Sequence, residues 1–165
     1  MSIMIDPKRL LTQIVTLFIF SVPCANASEN GREVIVNVDN YVRAETAAQF
    51  DRYQALAGGI NQWSHNRVPT PLDAQNVIRM NRDTLYSFAV VDISKGATVT
   101  IPDAGDRYLS LMVVNEDHYI NKVYHEPGEH RLTVDVFDTP YVALTARTLA
   151  DPTNPEDIKI ANDLQ

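Results

Sequence analysis

The stretch from residue 84 to residue 149 constrains the fold more than any other part of this chain. It is a series of short runs rich in β-branched and aromatic residues, each closed by a turn signal. Thr84–Ile93 comes first, and Thr98–Ile101 follows, stopped at Pro102. Asp103-Ala104-Gly105-Asp106 then turns the chain into Tyr108–Val114. Tyr119–Tyr124 and His130–Val134 flank Glu126-Pro127-Gly128-Glu129, which reads as a hairpin turn. Tyr141–Leu149 ends the series, and Val34–Val38 and Val77–Met80 are shorter candidate strands. Short strands punctuated by glycine and proline predict a sandwich or barrel.

Helices are expected only at the two ends. Asp39 and Asn40 can cap a first helix, because their short side chains accept hydrogen bonds from first-turn N–H groups. Val42, Phe50, Tyr53 and Ala57 recur at helical spacing, and Gly58-Gly59 supplies the left-handed residue common after a helix. Residues 63–73 read as a loop, with Pro69 and Pro71 holding the backbone extended. Asn154-Pro155-Glu156-Asp157 has the layout of a helix start: a cap, a proline at the first position and acids in the first turn. A helix of about ten residues is marginal in water unless it packs on something. It therefore docks on this domain or belongs to a longer element. The expected fold is mainly β (α+β), a β-sandwich-like domain with an N-terminal helix and a short C-terminal helix.

The N-terminus carries a three-part export pattern. Lys8 and Arg9 are the positive region, Leu10–Val22 is mostly apolar and uncharged, and Ala25-Asn26-Ala27 offers small residues for cleavage. A spanning helix needs about 20 predominantly apolar residues, and Leu10–Val22 is shorter and diluted by Thr12, Gln13 and Thr16. Cys24 suits a lipoprotein signal poorly, since Pro23 stands where a small residue belongs. Residues 1–27 are thus read as a signal peptide cut between Ala27 and Ser28. The expected location is periplasmic or secreted, without stable membrane insertion after cleavage. Residues 28–165 then form one domain by length. Cys24 is the single cysteine, so the mature domain has no disulfide and rests on packing and hydrogen bonds. The formal charge of −7 argues against nucleic acid and anionic membrane surfaces, which call for basic patches.

The run Asn76-Val77-Ile78-Arg79-Met80-Asn81-Arg82-Asp83-Thr84-Leu85-Tyr86-Ser87 resembles the signature of the domain of unknown function 1254 family. Asn40–Thr46, Pro102–Tyr108, Asn115–Tyr119 and Arg147–Leu149 fit the same family, so the resemblance runs from about residue 36 to the end. It implies a β-rich domain, usually bacterial and often exported, and it implies no particular reaction. Longer members carry a second β-rich domain after this one, and the expectation here is a single-domain version without it. A role as an interaction domain that self-associates or docks on a partner domain follows as one expectation.

Two polar clusters are candidates for chemistry. Asn81-Arg82-Asp83-Thr84, opening into Tyr86, can present an amide, a guanidinium and a carboxylate at a strand entrance. Arg82 could grip a carboxylate or phosphate through two parallel N–H groups. The structural alternative is that Asn81 and Asp83 bond local backbone and shape the turn. Asn115-Glu116-Asp117-His118 follows an apolar strand. His118 could act as a general base, with Asp83 as a second catalytic group, or it could sit in a loop of solvated acids. His125 and His130 add metal-ligand types, but their spacing matches no tight metal motif, and no metal or other cofactor is expected. His65 and Arg67 beside Trp63 could line a pocket from another loop, with Trp63 equally suited to plug a core. There is no G-x-S-x-G elbow, no mature cysteine and no phosphate-binding glycine pattern. The leading expectation is binding of a small polar or anionic ligand by Asn81, Arg82, Tyr86 and Asp117 with His118 and Asp83. A hydrolase, metal-assisted or not, is the alternative.

Overall fold

The computed structural model describes residues 1–5, 35–75 and 78–165. The proposed leader from Asp6 to the cut after Ala27, together with Val34, Asn76 and Val77, lies outside those residues.

Two antiparallel sheets face each other. In the larger one β3 (Thr84–Asp92) and β8 (Tyr141–Leu149) pair along their whole length, from Thr84 opposite Leu149 to Asp92 opposite Tyr141. β5 (Leu109–Asn115) flanks β8, β6 (Ile120–Tyr124) lies beyond β5, and β2 (Ser64–His65) lies outside β3. The smaller sheet has the order β1 (Ser2–Ile5), β4 (Ala97–Ile101), β7 (Gly128–Leu132). Successive strand residues point to opposite faces. One face of the large sheet therefore presents Ala89, Val91, Leu109, Leu111, Val113, Val142, Leu144 and Ala146 to Ala97, Val99, Ile101 and Leu132 of the small one. All of these are at most 4 % exposed. Burying a side chain of this size contributes roughly 1.5–3 kcal/mol relative to leaving it in water. The expected β-sandwich with terminal helices is what the chain forms.

Local departures have local causes. Glu126–Glu129 is not a hairpin turn, because β6 belongs to the large sheet and β7 to the small one. The chain changes sheets there, with Gly128 at φ 112 starting β7 two residues earlier than expected. Val134–Phe137 is a helical turn, α2, that seals the core with fully buried Phe137. Four apolar-rich residues do not distinguish that turn from a strand. Residues 35–38 are not a strand. The Asn37 N–H bonds Asn40 Oδ1 at 2.8 Å, and Asn40 Nδ2 donates to the Ile35 carbonyl at 3.1 Å, folding a turn before α1 (Tyr41–Ala57). Asn40 is thereby used upstream and does not cap α1 with its side chain. Residues 78 and 79 form a turn, with Arg79 at φ 60, and Met80 is not in a strand.

The helix ends otherwise follow expectation. Gly58, at φ 80, closes α1 in the left-handed conformation. α1 lies on the outer face of the large sheet, where Phe50 packs with Val90 and Ala143. Val42, counted as an apolar-face residue, is half exposed, and Thr46 is buried instead. In α3 (Pro155–Asp163), Asn154 Oδ1 accepts the N–H groups of Glu156 and Asp157 at 3.1 and 3.3 Å. α3 docks on this domain through Ala161, which packs with Leu85 and Ala150. Arg107 clamps it with hydrogen bonds to both oxygens of Asp157. Among the described residues no helix is long and apolar enough to cross a membrane.

Candidate functional site

The alternation that fills the core also builds the opposite face of the large sheet. There β3 presents Tyr86, Phe88 and Val90, β8 presents Ala143, Thr145 and Arg147, and β5 presents Met112 and Val114. Register aligns them in rows. Arg147 lies between Tyr86 and Ser110, Thr145 between Phe88 and Met112, and Ala143 between Val90 and Val114. α1 covers the Val90–Ala143 end with Phe50. The rest is an open groove of about 410 Å³, within the range of small-molecule sites.

The groove has an aromatic wall and an aliphatic one. Tyr53 of α1 stacks on Phe88 with ring centroids 4.5 Å apart, and Phe88 lies beside Tyr86 at 5.8 Å. Met112, Val114 and Ile120 line the other side of the β8 floor. Arg147 rests its guanidinium 5.2 Å from the centre of the Tyr86 ring, a cation–π contact. Among the described residues no aspartate or glutamate lines the groove, although the chain has 21 acidic residues.

Of the expected site residues, Asn81, Tyr86 and His118 meet in this groove, while Arg82, Asp83 and Asp117 do not line it. Asn81 also shapes its turn, as its Oδ1 accepts the Asp83 N–H at 2.7 Å. His118 stands at φ 68 in the turn after β5, which Asn115 organises by accepting the N–H groups of Asp117 and Tyr119. His118 Nδ1 is 2.9 Å from Thr46 Oγ1, and that hydroxyl donates to the Val42 carbonyl at 2.8 Å. With the hydroxyl proton so used, Nδ1 is the donor to Thr46, and Nε2 carries the lone pair in the neutral ring. Asp117 instead pairs with Arg43 of α1, which also reaches Glu116 at 3.2 Å, and together they pin the loop to the helix. Asp83 faces a shallow cleft at the start of α3 with Arg107, Asp151 and Asp157. The Nε of Arg82 is buried with no hydrogen-bond partner among the described residues.

The other candidates are structural neighbours of the core. His65 Nδ1 lies 2.8 Å from Ser87 Oγ, which also accepts from Gln165 Nε2 at 3.0 Å. Burial, with Arg67 and the chain's terminal ammonium nearby, lowers the His65 pKa to about 4. Trp63 packs against the main core, and Arg67 ties its loop to the Asn162 carbonyl at 2.8 Å. His125 and His130 lie against Tyr108 and Tyr124. Among the described residues no three potential ligands gather as a metal cage. Arg147, Phe88 and Met112 escaped sequence reasoning because each lies on a different strand. The only available signal was the shared outward parity of Tyr86 with Phe88 and of Thr145 with Arg147.

No curated protein matches the chain. Its fold is similar to the crystal structure of the VPA0106 protein from Vibrio parahaemolyticus, with a TM-score of 0.58 and 21 % identity. That match covers 76 % of this chain and 34 % of the Vibrio protein, so the chain spans about a third of that protein's length. A family model described as "Protein of unknown function (DUF1254)" matches residues 60–131. That segment runs from the loop before β2 into β7 and contains Asn81, Tyr86, Phe88, Met112 and His118. Over residues 60–131 the chain therefore carries the sequence signature of the domain of unknown function 1254 family.

Proposed function

We propose that this is an exported protein that binds a small polar or anionic ligand in the groove on the outer face of its large sheet. The observation that carries the reading is the composition of that groove. In a chain of net charge −7 its lining, among the described residues, has an arginine and a histidine and no acid. Electrostatics there favour an anion, while Asn81, Gln49 and Thr145 offer hydrogen bonds. Export rests on the pattern of Lys8-Arg9, Leu10–Val22 and Ala25-Asn26-Ala27, which directs the product to the periplasm or beyond the cell.

The test is a thermal-shift screen of small anions and sugars on the wild type, Tyr86→Ala and Arg82→Ala. A ligand at a hundredfold excess over Kd stabilises by about 2.7 kcal/mol. The shift should vanish in Tyr86→Ala and survive in Arg82→Ala. No shift with any anion or polar compound would sink the reading.

A second reading has its own support. Tyr119, Ile120 and Val123 are exposed on or beside edge strand β6, 69 %, 57 % and 47 % respectively. An uncovered apolar edge suits a partner domain. Concentration-dependent association by sedimentation, abolished by Val123→Lys, would favour it.

A further inference from the structure

We infer that the groove is built for an amphipathic monocarboxylate, its carboxylate gripped by Arg147 and its flat apolar body lying between Phe88 and Met112. The inference rests on the ligand-binding reading above and names the class of ligand.

Three features of the groove converge on this class. First, Arg147 is a cation without an ion-pair partner among the described residues, held on the Tyr86 ring. A guanidinium stacked on an aromatic face still offers its in-plane N–H fork, which matches the two oxygens of a carboxylate. A single fixed cation balances one negative charge, whereas a phosphate dianion calls for a cluster of donors.

Second, the groove beyond Arg147 is lined mostly by apolar side chains. One residue row above it, Thr145 forms the floor between Phe88 and Met112. Phe88 is already backed by Tyr53, and Met112 is an adaptable thioether that packs well against rings. A fully hydrated polar ligand such as a bare sugar acid would leave these walls unused.

Third, the two ends differ. Arg147 and Ala143 are four strand residues apart, which at about 3.3 Å per residue is roughly 13 Å. Phe50 closes the Ala143 end, and His118 lies beside it with a lone pair on Nε2 in its neutral ring. That end combines the Phe50 ring with one hydrogen-bond acceptor, which water can satisfy beside an apolar body. A ligand with its carboxylate at the Arg147 end and a bicyclic or similar apolar body running toward Phe50 follows this difference between the ends.

The experiment is titration calorimetry on the wild type with 2-naphthoate, acetate and 2-naphthalenemethanol, repeated on Arg147→Met, Arg147→Lys and Met112→Ala. Arg147 is exposed, so its variants should keep the wild-type unfolding midpoint. The expected result is that 2-naphthoate binds at least tenfold more tightly than either acetate or the alcohol. Arg147→Met should weaken it at least tenfold and Arg147→Lys by less. Met112→Ala should weaken 2-naphthoate while leaving acetate unchanged. Acetate binding as tightly as 2-naphthoate would overturn the amphipathic class while leaving the anion reading intact. Naphthoate affinity unchanged in Arg147→Met would overturn the role of Arg147. Failure of 2-naphthoate to bind, with another small anion or sugar binding in the screen above, would overturn only this inference. Failure of all of them would overturn both.

Discussion

The two faces of the large sheet are made by the same strands and yet are opposites. Toward the small sheet, Val142, Leu144 and Ala146 are sealed from water, and the neighbouring strands answer with side chains of matching size. Toward the outside, Ala143 is covered by Phe50, Thr145 lies on the floor of a groove, and Arg147 is exposed. One residue of displacement along β8 changes a position from the apolar core to a candidate binding surface. The inner face is closed by a whole second sheet, whereas among the described residues the outer face has one helix, which reaches only part of it. The first arrangement stabilises the fold, and the second leaves apolar and cationic surface uncovered by the other described residues.

The sharpest way to break this contrast is to truncate adjacent residues of β8. Leu144→Ala should lower the free energy of unfolding by about 2–5 kcal/mol in urea denaturation, through lost burial and a residual cavity. Thr145→Ala, one residue away, should change it by no more than about 1 kcal/mol. Equal effects would mean that the outer face is as much a core as the inner one.

A smaller effect concerns the edge of the small sheet. In the described chain β1 pairs with β4 from Ser2 opposite Thr100 to Ile5 opposite Ala97, and the terminal ammonium bonds the Gln165 carbonyl at 2.9 Å. A protein starting at Ser28 would lack that strand. Its stability should fall by roughly 1–2 kcal/mol, since edge hydrogen bonds are exchanged for water. Its bare β4 edge should favour self-association, visible by sedimentation. An unchanged midpoint and a monomer at all concentrations would show that β1 contributes nothing to the sandwich.

Acid should act on His65 and on the α3 clamp. The folded pKa of His65 is depressed to about 4, chiefly by burial. The unfolded chain therefore binds more protons than the folded one between about 6.5 and 4, and stability falls as pH drops through that window. His65→Gln should flatten that part of a pH–stability curve. Asp157 is held at about 2, first by its hydrogen bond from Arg107 and then by the Asp151 N–H. Its contribution is present above the ordinary aspartate range and is lost as pH falls toward 2. Asp157→Asn should remove that last acid limb and leave the His65 window alone.

The smallest effect should come from the exposed pair of Arg43 and Asp117. Asp117→Asn should cost no more than about 1 kcal/mol and leave groove affinity within roughly twofold. A large loss of affinity would return Asp117 to the binding surface.

Much of the architecture was legible in the sequence. Runs of β-branched and aromatic residues punctuated by glycine and proline identified β3, β4, β5, β6 and β8 within a residue or so, because strand preference and turn chemistry act locally. The Asn154-Pro155 start and the Gly58 stop were legible for the same reason: both are local hydrogen-bond and dihedral requirements. The lining of the candidate groove was legible only in part. Asn81 and His118 were found as polar residues at strand ends, and Tyr86 as an aromatic beside them. Arg82 and Asp83 were grouped with Asn81 because they are contiguous in sequence, but neighbouring residues at a strand entrance leave in different directions. Asp117 was grouped with His118 on the same ground, and Arg43, 74 positions away, claimed it.

The sequence by itself determined a domain of short strands with an N-terminal helix and a short C-terminal helix, because dihedral preference and turn chemistry act within a few residues. Only the tertiary structure decided which strands share a sheet, and so that β6 and β7 part company after Tyr124. It also decided that β8 lies between β3 and β5. That order brings Arg147 beside Tyr86, although they are 61 positions apart, and sets Phe88 across from Met112. Strand order depends on which apolar faces bury best against each other, a sum over the whole core that no local stretch of residues contains.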